Sequence, residues 1–190
     1  KHSRVTNECQ QRRNDEDMST AERIAAIFPG QGAQSVGMLS ELATSHASIK
    51  LRFAEASEVV GFDLWELTEQ GPSEVLGQTE NTQPALLTAS VALWDLWHGA
   101  QEKVALMSGH SLGEYSALVC AGAMSFTDGV ALVRKRGELM QAAVPNGQGT
   151  MAAVLGLDDE AIAECCDQVA GEVSAANFNA PGQVVIAGET

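Results

Sequence analysis

The sequence predicts an α/β fold in two parts, and three observations carry that prediction. Residues 104–122, VALMSGHSLGEYSALVCAG, begin as a short apolar run, break into Gly109-His110-Ser111-Leu112-Gly113, and continue with helical spacing. Nearer the start, Ile24 to Phe28 is a second apolar strand, ended by Pro29-Gly30-Gln31-Gly32-Ala33-Gln34 ahead of another helical stretch. From Gly149 onward the pattern reads strand, helix, strand, strand, the opening of a split βαβ unit. The expected organisation is a disordered leader over 1–22, a core over 23–146, and the incomplete start of a small subdomain over 147–190.

Residues 1–22 are polar and lack apolar periodicity. Arg12 and Arg13 are answered by Asp15, Glu16 and Asp17, which argues against a targeting role, and Met18 reads as a natural start. In the 29–34 loop, glycines on both sides of Gln31 put an amide side chain and backbone N–H groups at a strand's carboxyl end, where open α/β sheets bind ligands. Neither phosphate-loop nor dinucleotide spacing is present, and a plain turn remains open for this loop alone. Residues 38–60 read as helical, with Leu39, Leu42, Ile49, Phe53, Ala56 and Val60 supplying the apolar spacing and His46 at a surface or helix end. Residues 62–83 are short helical turns broken at Gly71-Pro72 and Gly77. After Pro84 the steps Leu86, Ala89, Ser90, Leu93 and Trp97 predict one buried helix face, with His98 at its end.

The elbow at Ser111 is the chemical centre of the chain. A serine on the sharp turn between a buried strand and a helix is thrust out of the sheet, and glycines two residues to either side remove Cβ clashes. Ser111 is therefore a candidate nucleophile. The N–H of Leu112, at the positive end of the following helix, would meet the oxyanion. The rival reading is a glycine-bracketed turn with a surface serine. In the next helix, 127–143, Arg134 has Glu138 at i+4 and is expected to face solvent. Arg136 has only Leu132, Val133, Leu139 and Met140 around it, so its guanidinium must find an anion elsewhere: a tertiary carboxylate or a substrate carboxylate held bidentately.

The last part is read as strand 149–156, helix 158–171 capped by Asp158 or Asp159, strand 173–179, a turn at Asn179-Ala180-Pro181-Gly182, and strand 183–189. Its apolar run at 183–188 is expected to end as an unpaired edge. Acidic residues outnumber basic ones by 25 to 11, a net charge of −14, which excludes a general nucleic-acid or anionic-membrane surface. No apolar run approaches ~18 residues and no signal segment opens the chain, so a cytoplasmic protein is expected. Cys9, Cys120, Cys165 and Cys166 show no C-x-x-C or metal-ligand spacing. Cys9 reads as exposed, the others as reduced small hydrophobes, with the vicinal pair facing different directions.

Five blocks in order, IFPGQGAQSVGM at 27–38, TQPALLTASVALW at 82–94, GHSLGEYSALVCAGAMSF at 109–126, RGELMQAAVP at 136–145, and MAAVLGLDD with NFNAPGQVVIAGE at 151–159 and 177–189, carry a family resemblance. Over about residues 23–190 the sequence resembles the malonyl-coenzyme A:acyl carrier protein transacylases of bacterial fatty acid synthesis and the related acyltransferase domains of polyketide synthases. The resemblance implies an α/β-hydrolase-like parallel-sheet core with an inserted ferredoxin-like subdomain, both truncated here. It implies Ser111 as nucleophile, Gln31 beside the oxyanion hole, Leu112 as backbone donor, and Arg136 as the partner of the malonyl carboxylate. The implied reaction is ping-pong, with malonyl-coenzyme A as donor and the phosphopantetheine thiol of acyl carrier protein as acceptor. A monomer with no permanently bound cofactor is implied at full length. Leucine after the serine is similar to malonyl-using members.

The family's general-base histidine and a further active-site glutamine lie in segments beyond this sequence, so the chain reads as an N-terminal portion that is inactive alone. Of the four histidines, His2 is in the leader, His46 and His98 are on ordinary helices, and His110, adjacent to Ser111, points away from the reaction face as a packing or positioning residue. Two other classes compete. A serine hydrolase or thioesterase shares the elbow, but Gln31 in FPGQGAQ and the apolar-face Arg136 argue against it. A non-catalytic acyl- or carrier-binding chain is favoured only by the missing histidine. Basic contacts for coenzyme A or carrier protein are expected locally around Arg134 and Lys135, or outside this sequence.

Overall fold

The computed structural model describes residues 23–97, 101–144 and 147–189. The expected leader, with His2 and Cys9, and also His98, lie outside the described residues. The chain divides into two compact units at Gly137 and Glu138.

In the first unit, β1 (Ile24–Phe28) and β2 (Val104–Gly109) pair in parallel, with Phe28 opposite Gly109 at their carboxyl ends. Between them run α1 (Ser40–Ser45), α2 (Ala47–Val60), α3 (Leu64–Gln70), α4 (Ser73–Leu76) and α5 (Thr79–Leu96); α6 (Leu112–Cys120) and α7 (Phe126–Ala143) follow β2. His46 is exposed at the junction of α1 and α2. Phe53, Ile49, Leu64, Leu76, Leu87, Leu112, Val130 and Val133 are the largest fully buried apolar side chains of its core. Asp63 caps α3 by accepting from Glu66 N at 2.8 Å. Arg52 on α2 ties three helices together, reaching Asp95 on α5 at 2.6 Å and lying 4.7 Å from the ring centroid of Phe126 on α7.

Three expectations are corrected here. Helix α5 begins at Thr79, five residues before Pro84, and is buried on every side from Asn81 to Ala92, while Leu93 and Trp97 are partly exposed. Pro84 has no N–H for the carbonyl of Glu80, four residues back, yet the helix continues because Arg134 Nη1 donates to that carbonyl at 3.1 Å. Arg134 is thereby turned away from solvent: its guanidinium also donates to Asn81 Oδ1 at 2.6 Å and pairs with the Glu80 carboxylate at 3.8 Å. Finally, the strand before the elbow is not buried on both faces. Helix α6 packs back on β1 and β2, whereas Ile27 and Leu106, on the other face, are 77% and 63% exposed.

The second unit contains β3 (Gly149–Leu155), α8 (Asp159–Asp167), β4 (Val173–Ala180) and β5 (Gln183–Glu189) in sheet order β3-β5-β4. Strand β5 is antiparallel to both neighbours, so it is the centre of the sheet rather than an unpaired edge. Pro181-Gly182, with Gly182 at φ +72°, turns β4 directly onto β5, whose other flank pairs with β3. Strands β3 and β4 thus run in the same direction with β5 inserted between them, a split βαβ arrangement. Helix α8 is capped by Asp158, whose Oδ1 accepts from Ala161 N at 2.8 Å, and it packs Ile162 and Cys166 against Val184. Cys165, one residue from buried Cys166, is exposed rather than packed as a small hydrophobe. Cys120, Cys165 and Cys166 are all free thiols.

Candidate functional site

Strand β2 ends at Gly109, and α6 begins at Leu112, so only His110 and Ser111 make the connection. Ser111 takes φ 53° and ψ −105°, a backbone state that costs a non-glycine residue about 1–3 kcal/mol unless its surroundings enforce it. The glycines make those surroundings possible. A Cβ on Gly109 would lie 1.9 Å from the carbonyl carbon of Gly113, and one on Gly113 would lie 2.2 Å from Phe28 O. The turn is further held by His110 N donating to Phe28 O at 3.2 Å and by Gly113 N donating to His110 O at 2.9 Å. Leu112 is buried, anchoring α6, and as its first residue has no intrahelical acceptor for its N–H.

Helix α7 brings Arg136 to this turn. Arg136 Nη2 donates to Ser111 Oγ at 2.9 Å, and Nη1 donates to Gln83 Oε1 at 2.8 Å. The guanidinium carbon is 5.6 Å from the centroid of Tyr115 on α6. No carboxylate pairs with Arg136 among the described residues, so of the two partners left open by the sequence, the tertiary carboxylate is not found. A fixed cation stands beside a serine in a strained elbow, an arrangement able to hold an acyl group that carries its own carboxylate.

The 29–34 loop presses on the same turn. A Cβ on Gly30 would sit 2.6 Å from His110 O and 2.8 Å from His110 Nδ1. Gln31 is exposed, and its Nε2 donates to Thr79 Oγ1 at 3.1 Å rather than to the elbow. His110 is exposed beside Ser111; the described partner of Ser111 Oγ is Arg136. The structure therefore joins Ser111 and Arg136 directly, with Leu112 following in the chain, and ties Gln31 to the first turn of α5. Sequence reasoning missed Thr79 and Gln83 because it started that helix after Pro84. Gln83 lies three residues before Leu86 on the same stripe, a polar residue on an otherwise apolar face.

Among the described residues no group of three His, Cys, Asp or Glu is placed to hold a metal ion, and no helix is long and apolar enough to cross a membrane. Comparison with known proteins places this geometry in context. The malonyl CoA-acyl carrier protein transacylase of Salmonella typhimurium is 60% identical over 169 residues, covering 87% of this chain and 55% of that protein. An acyl carrier protein S-malonyltransferase from Vibrio cholerae superposes with a TM-score of 0.80 at 56% identity, covering 88% of this chain and 56% of its own. A malonyl-transacylase solved in complex with a type II polyketide synthase acyl-carrier protein gives a TM-score of 0.82 at 56% identity, covering 88% and 55%. The chain spans about half the length of the curated relatives it matches. Residues 26–190 match the model of the acyl transferase domain, and the chain belongs to that family.

Proposed function

We propose that Ser111 accepts a malonyl group from malonyl-coenzyme A and passes it to the phosphopantetheine thiol of acyl carrier protein, in fatty acid synthesis. The observation that carries this reading is the 2.9 Å bond from Arg136 Nη2 to Ser111 Oγ. A cation beside the nucleophile can pair with the far carboxylate of a malonyl ester, whereas an acetyl ester offers it nothing to pair. The names of the relatives above support the same donor and acceptor.

In this reading Ser111 Oγ attacks the thioester carbonyl and gives up its proton to a base that is not among its described partners. The oxyanion is met by the N–H of Leu112 at the positive end of α6, with Gln31 beside it and His110 holding the turn. The C–S bond breaks, coenzyme A leaves as the thiol once protonated, and a malonyl-Ser111 ester remains. The carrier thiol then attacks that ester, restoring the serine. Residues 23–146 are read as part of an α/β-hydrolase-like core and 147–190 as part of a ferredoxin-like subdomain. The parallel β1–β2 pair with its elbow and the split βαβ sheet support that division. The reading carries with it a monomeric, cytoplasmic enzyme without a permanently bound cofactor.

Mass spectrometry of the protein extended to the full length of its relatives, after mixing with malonyl-coenzyme A and separately with acetyl-coenzyme A, tests this. Malonyl is expected on Ser111 and absent from Ser111→Ala. Arg136→Ala or Arg136→Lys is expected to lower malonyl loading by about 2 kcal/mol or more while sparing acetyl loading, because lysine cannot restore the fork. Label on another residue overturns the nucleophile, and equal loss with both donors overturns the role of Arg136. Release of free malonate without transfer to carrier protein favours a hydrolase.

A further inference from the structure

The guanidinium of Arg136 is held from two sides, by Ser111 Oγ at 2.9 Å and by Gln83 Oε1 at 2.8 Å. A guanidinium offers only donors, so the Gln83 amide is oriented with its oxygen toward Arg136. Gln83 is fully buried within α5, and one turn of that helix holds the other elements of the site. Thr79 takes the Gln31 amide, while Glu80 and Asn81 take Arg134. Arg136 itself is half-buried, and at such a partly dry site the choice of acceptor decides what charge remains. A carboxylate at position 83 would orient the fork equally well and neutralise it; an amide orients it and leaves the full positive charge.

We infer that Gln83 is a positioning and specificity-determining residue: it fixes the Arg136 fork while leaving its charge available to the terminal carboxylate of the acyl group. This rests on the malonyl reading above. Gln83 acts through Arg136 and needs no contact with the substrate. The selectivity for a carboxylate-bearing acyl group therefore depends on a neutral side chain that sequence reasoning placed outside the site.

The test compares Gln83→Glu and Gln83→Met in the full-length protein, measuring kcat and KM for loading from malonyl-coenzyme A and acetyl-coenzyme A together with a melting curve. Gln83→Glu conserves shape and supplies an internal anion, so kcat/KM for malonyl is expected to fall roughly 10–100-fold, mainly through KM, and by clearly more than kcat/KM for acetyl. Gln83→Met removes the acceptor without adding charge and is expected to weaken malonyl loading less. It carries the test if Gln83→Glu does not melt cooperatively. A parallel fall for both donors, or malonyl loading indifferent to Gln83→Glu, overturns the role of Gln83. Full-length wild-type protein that loads neither thioester overturns the malonyl reading beneath it, and an Arg136→Ala variant that loses both overturns the role of Arg136, so these failures are distinguishable from that of Gln83.

Discussion

Cys120 sits at the end of α6, half-buried and free, and burial pushes its thiol up from near 9 to about 12, with the Asp95 carboxylate adding to the rise and Arg52 opposing it. The thiol stays protonated in the folded protein over a range in which the unfolded chain would release the proton. Stability from burying the neutral thiol is therefore fully present below about pH 9 and is lost as pH rises toward about 12. Urea melts of wild type and Cys120→Ala across that range are expected to converge as pH rises, the variant losing less stability per pH unit. Parallel slopes would show that the thiol does not titrate there. At this scale the sequence was most informative where chemical type and spacing coincide. Ser111 between Gly109 and Gly113 announced a strained turn, and Arg136 without a local carboxylate announced a partner elsewhere. Gln83 was illegible because a helix was assumed to start at Pro84, and Arg134 was misread because its i+4 glutamate outweighed, on paper, a carbonyl stripped of its donor by a proline.

Helices α5 and α7 are coupled through that carbonyl. Removing the Arg134 guanidinium leaves Glu80 O without the donor that Pro84 cannot supply, whereas Pro84→Ala returns an N–H to it. Arg134→Met is expected to destabilise by about 1–3 kcal/mol alone and by less in the Pro84→Ala background, with a coupling of roughly 0.5–1.5 kcal/mol. Additive effects in denaturant melts would mean that the bond carries no net stability. Helix α7 approaches closely enough for this because Gly137 faces the same turn: a Cβ there would lie 2.5 Å from Glu80 Cα. Most element boundaries were readable from apolar period and turn residues, as in Ile24–Phe28 and the 181–182 turn. Strand pairing was not. Nothing in the local pattern of 183–189 distinguishes an edge from a centre, because that depends on which distant strands find it.

At the scale of the molecule, among the described residues one face of the β1–β2 pair is exposed. Ile27 and Leu106 stand exposed there, and an apolar groove of about 450 Å³ runs beside β1, lined by Phe28, Met38, Leu86, Leu93, Trp94 and Trp97. Parallel strands ordinarily have both faces buried, and an apolar surface of this kind drives association. Taken by itself, the 190-residue chain is accordingly expected to self-associate despite its charge of −14, unlike the full-length monomer proposed above, and Ile27→Lys to raise its solubility. Light scattering against concentration checks this; a monodisperse wild-type chain that does not differ from the variant would contradict it.

The central place of β5 also has a consequence for biosynthesis. The ribosome makes β3, α8 and β4 first, and neither strand can find its sheet partner until Gln183–Glu189 has emerged, since β5 lies between them. The second unit therefore cannot zip up progressively as it is translated: its two flanking strands wait, unpaired, for β5. Its sheet forms only once β5 has been made, and its window of vulnerability to proteases and chaperones spans the synthesis from Gly149 to Glu189.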